Sequence, residues 1–211
     1  MIYSLVRRNS RILLLNSALK RSERLSELQK FPALFFLTHV DSEITKITNV
    51  GPILNTCTTS TYYDFVSSED SVVFLGDVYM IGTETTPLPD TSVGLEVLSS
   101  YHNYFVDIAM ANELVPGLTA TMAWQPLPNR LAQKAKANGG DLIDLDDSVD
   151  RLLFEFDYSF TSTLSDTQMT KVMETLFSGI RKRVQGFIAN RTLPDACLPL
   201  FMNDANFQED Y

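Results

Sequence analysis

The sequence predicts an α+β fold: a mainly antiparallel sheet with long helices packed on one face. Three observations carry this. Phe154, Phe156, Tyr158 and Phe160 alternate with Glu155, Asp157 and Ser159, so a strand there has one aromatic and one polar face. Two long segments, 92–112 and 165–187, carry apolar stripes at helical spacing. No glycine-rich turn marks a strand-to-helix corner, and alternating faces favour antiparallel pairing with helices on one side.

The elements follow in order. Residues 11–30 read as an amphipathic helix, with Leu14, Leu15, Ala18, Leu25 and Leu28 on one side and Pro32 as its stop. Ala33 to Leu37 reads as a short buried strand. Residues 41–71 are rich in Thr, Ser and Asn and read as a loop region with one short helix. "VVFLGDVYMIGT", from Val72 to Thr83, is β-branched and apolar and predicts a strand, with Gly76 and Gly82 marking bulges or close approach.

Pro87, Pro89 and Asp90 then punctuate. A helix over about 92–112 follows from the stripe Val97, Leu98, Tyr101, Tyr104, Phe105 and Ile108. Pro116-Gly117 turns the chain into the strand "LTATMAW", which "QPLP" stops. Asn129 is placed to cap a short helix to Ala137, and Asn138-Gly139 supplies a left-handed exit. The aromatic strand "RLLFEFDYSFT" comes next. Ser165 and Gln168 have the spacing of a capping box at the start of the longest helix. Arg181, Lys182 and Arg183 stand where a helix dipole favours cations. Leu198 to Asn203 predicts a closing strand.

The chain has 211 residues and a formal net charge of -9. That balance argues against a nucleic-acid partner, which needs a basic face, and equally against an anionic membrane surface. Cys57 and Cys197 fit neither a metal-ligand spacing nor a disulfide framework. The amino-terminal apolar run, Ile12 to Leu15, is too short for a signal segment or a membrane span. Asn190-Arg191-Thr192 is a glycosylation sequon, meaningful only in a secreted protein. The compartment stays open.

No GxGxxG, Walker, GxSxG, HExxH or CxxC motif is present. His39 and His102 are isolated, and a metal site needs several convergent ligands. "DLIDLDDSVD" lacks the glycine and glutamate of a calcium loop, so a solvated acidic loop is the simpler reading. The aromatic face from Phe154 to Phe160 reads as core under the long helix. Its polar counterpart, Glu155, Asp157 and Ser159, is left to face solvent or a ligand, and polar groups on a rigid strand suit substrate orientation. Trp124, at a strand end, suits a pocket rim or an interface.

The ordered set "LTATMAWQPLP", "NGGDLIDLDD", "LLFEFDYSFTS", a long helix and "LPLFMNDANFQEDY" resembles the C-terminal, substrate-binding half of fungal FAD-linked oxidoreductases. These are the berberine-bridge-enzyme-like members of the vanillyl-alcohol-oxidase (PCMH) superfamily. The resemblance runs from about Gly117 to Tyr211 and, less closely, back to Phe31. It divides the chain into residues 1–30, a weakly placed strand and helix, and residues 31–211, a substrate-binding domain that stops before the family's Tyr-Gly-x-Asn and Tyr-Asp-Pro segments.

The resemblance implies a broad antiparallel sheet whose inner face roofs the flavin of a separate FAD-binding domain, carried by a longer chain. It also implies a return segment, Tyr/Phe-x-Asn-Asp-Ala. Phe201-Met202-Asn203-Asp204-Ala205 matches that segment, and Gln208 matches a glutamine common shortly after it. Asn203 and Asp204 are thereby expected at the cofactor, and Asn203, Asp157, Tyr158 and Trp124 around a small-molecule substrate. Three departures stand out. The pyrophosphate loop is absent, and the residues that hold flavin covalently in relatives belong to the other half, so His39, His102, Cys57 and Cys197 inherit no such role. Asp141 also stands where relatives often have asparagine.

Three functions compete. The chain is the substrate-binding portion of an FAD-dependent oxidoreductase, inactive alone; or a non-catalytic binding module that self-associates through a bare sheet face; or an inactive remnant. A face shaped to cover flavin is sticky when uncovered.

Overall fold

The computed structural model describes residues 2–7, 34–35, 54–55, 61–69, 74–140, 145–202 and 204–209. Its main sheet has strands β1 (Ile2–Arg7), β4 (Val78–Pro87), β5 (Thr119–Leu127) and β6 (Arg151–Phe160). Their order is β1-β5-β6-β4, and every neighbouring pair is antiparallel. A separate two-stranded parallel pair joins β2 (Leu34–Phe35) to β3 (Leu54–Asn55). The helices are α1 (Tyr62–Glu69), α2 (Gly94–Ala111), α3 (Asn129–Ala137) and α4 (Asp166–Ala189). The fold class is α+β. The helix expected over 11–30 lies outside the described residues.

Strand alternation decides where the core sits. Register pairs Ala120 with Tyr158, Met122 with Phe156 and Trp124 with Phe154, which sets these side chains on one face. That face packs against Val97, Tyr101 and Phe105 of α2 and Met169, Met173, Leu176 and Ile180 of α4. Phe154 is the centre of an aromatic cluster: Tyr101 meets it edge-on at 5.3 Å and Trp124 at 5.0 Å between ring centroids. Edge-to-face pairs of this kind add to simple area burial.

Several elements differ from expectation. The strand expected over 72–83 is displaced to Val78–Pro87. Phe74 to Asp77 forms a turn, with Gly76 at φ 90° and the Asp77 N–H donating to the Phe74 carbonyl. The polar run Thr83-Glu84-Thr85-Thr86 joins the strand because β6 offers it a full antiparallel partner. Gly82 lies under α4, where a β-carbon would stand 3.0 Å from the Met173 methyl.

The capping box does not form. A short 3₁₀ turn, Thr163–Ser165, precedes α4, and Ser162 supplies its cap by accepting the Leu164 N–H. Gln168 donates instead to Asn112 Oδ1 at 3.0 Å, linking α4 to the end of α2. Asn129 is the first residue of α3 rather than its cap, and its N–H is accepted by Asp150 Oδ1 at 2.7 Å. Gly139 and Gly140, at φ 104° and 93°, provide the left-handed exit.

α4 runs on to Ala189, so Arg181 to Arg183 do not occupy its last turn. Arg181 and Arg183 have tertiary roles: Arg181 pairs with Glu84 at 2.6 Å, and Arg183 stacks 3.7 Å over the Tyr104 ring. The expected closing strand at 198–203 is irregular chain among the described residues. It is held by side chains rather than a ladder: Thr85 Oγ1 donates to the Pro199 carbonyl, and Arg151 Nε to the Cys197 carbonyl at 2.8 Å. Pro199 itself has no N–H to give a ladder.

Candidate functional site

The second face of the sheet carries the chemistry. Register sets Thr119 opposite Ser159, Thr121 opposite Asp157 and Ala123 opposite Glu155. On the other side of β6, Tyr79, Ile81 and Thr83 stand opposite Ser159, Asp157 and Glu155. One continuous patch thus holds two carboxyls, three threonines, a serine, an alanine, an aromatic ring and an isoleucine. Tyr79 and Ile81 are exposed, Glu155, Asp157 and Thr121 are half-buried, and Ser159 is buried.

The carboxyls are electrostatically frustrated. Burial, with the neighbouring charges of Asp157 and Asp204, raises Glu155 to about 7. Burial also raises Asp157 to about 6; a Thr121 Oγ1 donor at 3.2 Å opposes the rise, and the Asp204 charge adds to it. Asp204 is raised as well, through burial. Near neutral pH this face therefore holds a mixture of protonated and ionised carboxyls. A protonated carboxyl donates one hydrogen bond and accepts others, and an ionised one only accepts. The patch suits an uncharged polar ligand or a proton acceptor close to pH 7.

A short segment brings Asp204 there. Asn206 Nδ2 donates to the Ile81 carbonyl at 2.8 Å, on the outer edge of β4. Glu209 accepts the Thr83 N–H through both carboxylate oxygens, each at 3.2 Å, and also the Asn206 N–H. Two side chains therefore meet, at Ile81 and Thr83, backbone groups of the kind a further strand would otherwise pair. Burial pushes the Glu209 carboxyl up, although its N–H donors and Arg181 oppose this.

The residues expected from the sequence separate into three groups. Asp157 and Asp204 act on one patch. Tyr158 and Trp124 stand on the opposite, helix-covered face and do not join it. Tyr158 is fully buried, with its hydroxyl pushed upward by burial, and Trp124 packs on Phe154. Alternation along β6 forces this, since neighbouring residues on a strand point to opposite sides. Asn203 lies outside the described residues, as do Asp141, His39 and Cys57. Among the described residues, His102 is buried on α2, where burial lowers its imidazole, and Cys197 is exposed.

Sequence reasoning missed Thr121, Thr83, Asn206 and Glu209. Thr121 was reachable only through the strand register. Asn206 and Glu209 find their partners 125 and 126 residues away, with no local signal.

The described part of the acidic stretch, 145–150, keeps its carboxylates solvent-accessible as expected, and they also make contacts. Asp146 pairs with the buried Arg151, Asp147 with Lys136 at 2.9 Å, and Asp150 holds the start of α3. Among the described residues, no group of three or more His, Cys, Asp or Glu side chains is arranged to hold a metal ion. No described helix is long and apolar enough to cross a membrane.

Comparison with known proteins gives one informative likeness. An "Uncharacterized FAD-linked oxidoreductase" of Arthroderma benhamiae (strain ATCC MYA-4681 / CBS 112371) is 28% identical to this chain over 164 residues. The match covers 78% of this chain and 33% of that protein, so the chain spans about a third of its relative's length. No protein-family profile matches the chain. No solved structure matches it.

Proposed function

We propose that this chain is the substrate-facing portion of an FAD-dependent oxidoreductase of the berberine-bridge-enzyme-like kind, acting on a small organic molecule. The observation that carries the reading is the two-sided character of the sheet. One face is sealed by α2 and α4, and the other gathers Thr121, Glu155, Asp157 and Asp204 at half-buried positions. The distant relative, named as FAD-linked, is consistent with it.

The donor set fits one part of the cofactor and not another. An uncharged flavin ring or substrate edge presents carbonyl and N–H groups, which protonated and ionised carboxyls beside a threonine hydroxyl are able to match. The diphosphate requires N–H groups or cations, and carboxylates repel it. The phosphates are therefore assigned to a flavin-binding domain carried by a longer chain. Flavin, when bound, accepts a hydride from the substrate. This chain's own part is to orient the substrate between Asp157, Thr121 and the exposed ring of Tyr79 and to exclude water from that space. Asn203 and Asp204 are assigned to the boundary with the flavin.

Sequencing the complete transcript and expressing its full reading frame tests the proposal. The product is expected to be yellow, and photolabelling with an azido-flavin is expected to mark peptides from β5 and β6. A reading frame that yields a colourless protein, or labels confined to the α2–α4 side, would overturn it and favour a binding module.

A further inference from the structure

We propose that Glu209 is a positioning residue: its carboxylate latches residues 204–209 onto the outer edge of β4 and thereby holds Asp204 over the Glu155–Asp157 face. This deepens the function proposed above and rests on that reading only for its consequence in catalysis; the latch itself stands on geometry.

The latch is built from side chains doing a strand's work. An edge strand presents unpaired N–H and C=O groups on its outer side. On β4 the Ile81 carbonyl and the Thr83 N–H are both met from this one segment: Asn206 donates its amide N–H to the Ile81 carbonyl, and Glu209 accepts the Thr83 N–H. The segment is also closed on itself. Asn206 N–H donates to Glu209 Oε2, Glu209 N–H to the Asn206 carbonyl at 2.9 Å, and Gln208 N–H to Asn206 Oδ1 at 3.1 Å. Asn206 and Glu209 are buried, with 6% and 5% exposure.

A carboxylate at this depth needs compensation. The Thr83 and Asn206 N–H groups provide it directly, and Arg181 of α4 acts on Glu209 from the helix side, where it also pairs with Glu84. The latch thus joins three parts: the β4 edge, α4 and the segment that carries Asp204.

Asp204 is two residues before Asn206, with the Asp204 N–H donating to the Phe201 carbonyl at 2.9 Å. Its charge acts on both Glu155 and Asp157. Releasing the latch frees this charge to leave the face. The titration of Glu155 and Asp157 then reports the latch, whereas a merely structural residue would leave it unmoved as long as the sheet stays folded.

The test uses the full chain, Glu209→Ala, Asn206→Ala, Asp204→Asn and the double variant Asp204→Asn/Glu209→Ala. Amide exchange and carboxyl titration are followed by NMR. In Glu209→Ala, exchange at Thr83 is expected to speed up roughly tenfold or more, the loss of a hydrogen bond to a charged acceptor. Exchange at Phe156, inside the sheet, is expected to stay unchanged. Glu155 and Asp157 are expected to titrate at lower pH, and Asn206→Ala to move them the same way. Asp204→Asn is expected to produce the same fall, with no further change on adding Glu209→Ala. Unaltered titration in both latch variants, or shifts that simply add in the double variant, would overturn the proposal. Should Glu209→Ala fail to fold, Asn206→Ala decides alone. None of these readouts depends on flavin, so the latch and the oxidoreductase reading fail separately.

Discussion

The ring of Tyr104 occupies the position that a β-carbon on Gly179 would take. The Tyr104 hydroxyl donates to the Thr175 carbonyl at 2.9 Å, and the Arg183 guanidinium lies 3.7 Å over the same ring. This tyrosine seated on a glycine is one close contact between α2 and α4, beside the Tyr101–Phe187 ring pair and the Gln168–Asn112 hydrogen bond.

Gly179→Ala is expected to destabilise the protein by about 1–3 kcal/mol, the usual cost of overpacking. Gly186 lies in the same helix with nothing within 4 Å of its β-position, so Gly186→Ala is expected to stabilise by about 0.5–1 kcal/mol through helix propensity. Urea unfolding of both variants checks the opposite signs.

Arg151 is 1% exposed and feeds three backbone carbonyls, those of Cys197, Val149 and Asp146, besides its pairing with the Asp146 carboxylate. Arg151→Met leaves those carbonyls unmet and is expected to cost about 1–3 kcal/mol, the range for stranding a buried hydrogen-bond partner, because the Asp146 carboxylate, 37% exposed, stays solvated. Because Cys197 is one of the acceptors, limited proteolysis is expected to cut within 193–200 sooner than in the parent protein.

Arg181 faces Glu84, which is 5% exposed within the core side of β4. Burial raises the Glu84 carboxyl to about 7, against the pull of Arg181. Arg181→Met removes that pull, so Glu84 takes up a proton at still higher pH. Arg181 is itself about a third exposed, so the expected cost is roughly 1–2 kcal/mol. Thermal unfolding is expected to register a larger loss at about pH 8 than at about pH 6, because only the ionised Glu84 needs its partner.

The pH dependence of the parent protein has a definite sign. Glu84, Glu155 and Asp157 all titrate higher in the folded chain, at about 7, 7 and 6, than the ordinary carboxyl value near 4. Between those limits the folded state holds protons that the unfolded state has released. Their stabilising contribution is full below about pH 4 and is lost as pH rises through 6 to 7. His102, lowered by burial, opposes this below about pH 6.5, and Asp146 and Asp147 oppose it at the acid end: Ser148 donors and Lys136, respectively, lower them, so their contribution disappears only as pH falls below the ordinary value. The melting temperature is expected to rise as pH falls from about 8 to about 5, and Glu155→Gln/Asp157→Asn to flatten that rise.

Much of the architecture was legible locally. The spacing of Val97, Tyr101 and Phe105, and of Met169, Met173, Leu176 and Ile180, announced the buried faces of α2 and α4, and all seven are buried. Alternation along Phe154 to Phe160 announced a two-faced strand. The same alternation already separated Tyr158, on the core face, from Asp157, so a pocket containing both went against that pattern. Capping spacing misled at Ser165, because Ser162 starts a 3₁₀ turn that reaches α4 first. Apolar content misled at 198–203, where Thr85 and Arg151 hold the chain through its carbonyls and no ladder forms.

What this sequence determined by itself is periodicity: which residues turn inward on each helix, and which side of β6 each residue takes. Those properties depend on neighbours two to four positions away. Tertiary structure alone decided that Thr121 meets Asp157, that Asp204 acts on the same face, and that Asn206 and Glu209 close the edge of β4. These partners lie 36 to 126 residues apart, and antiparallel register and side-chain reach, rather than any local pattern, bring them together.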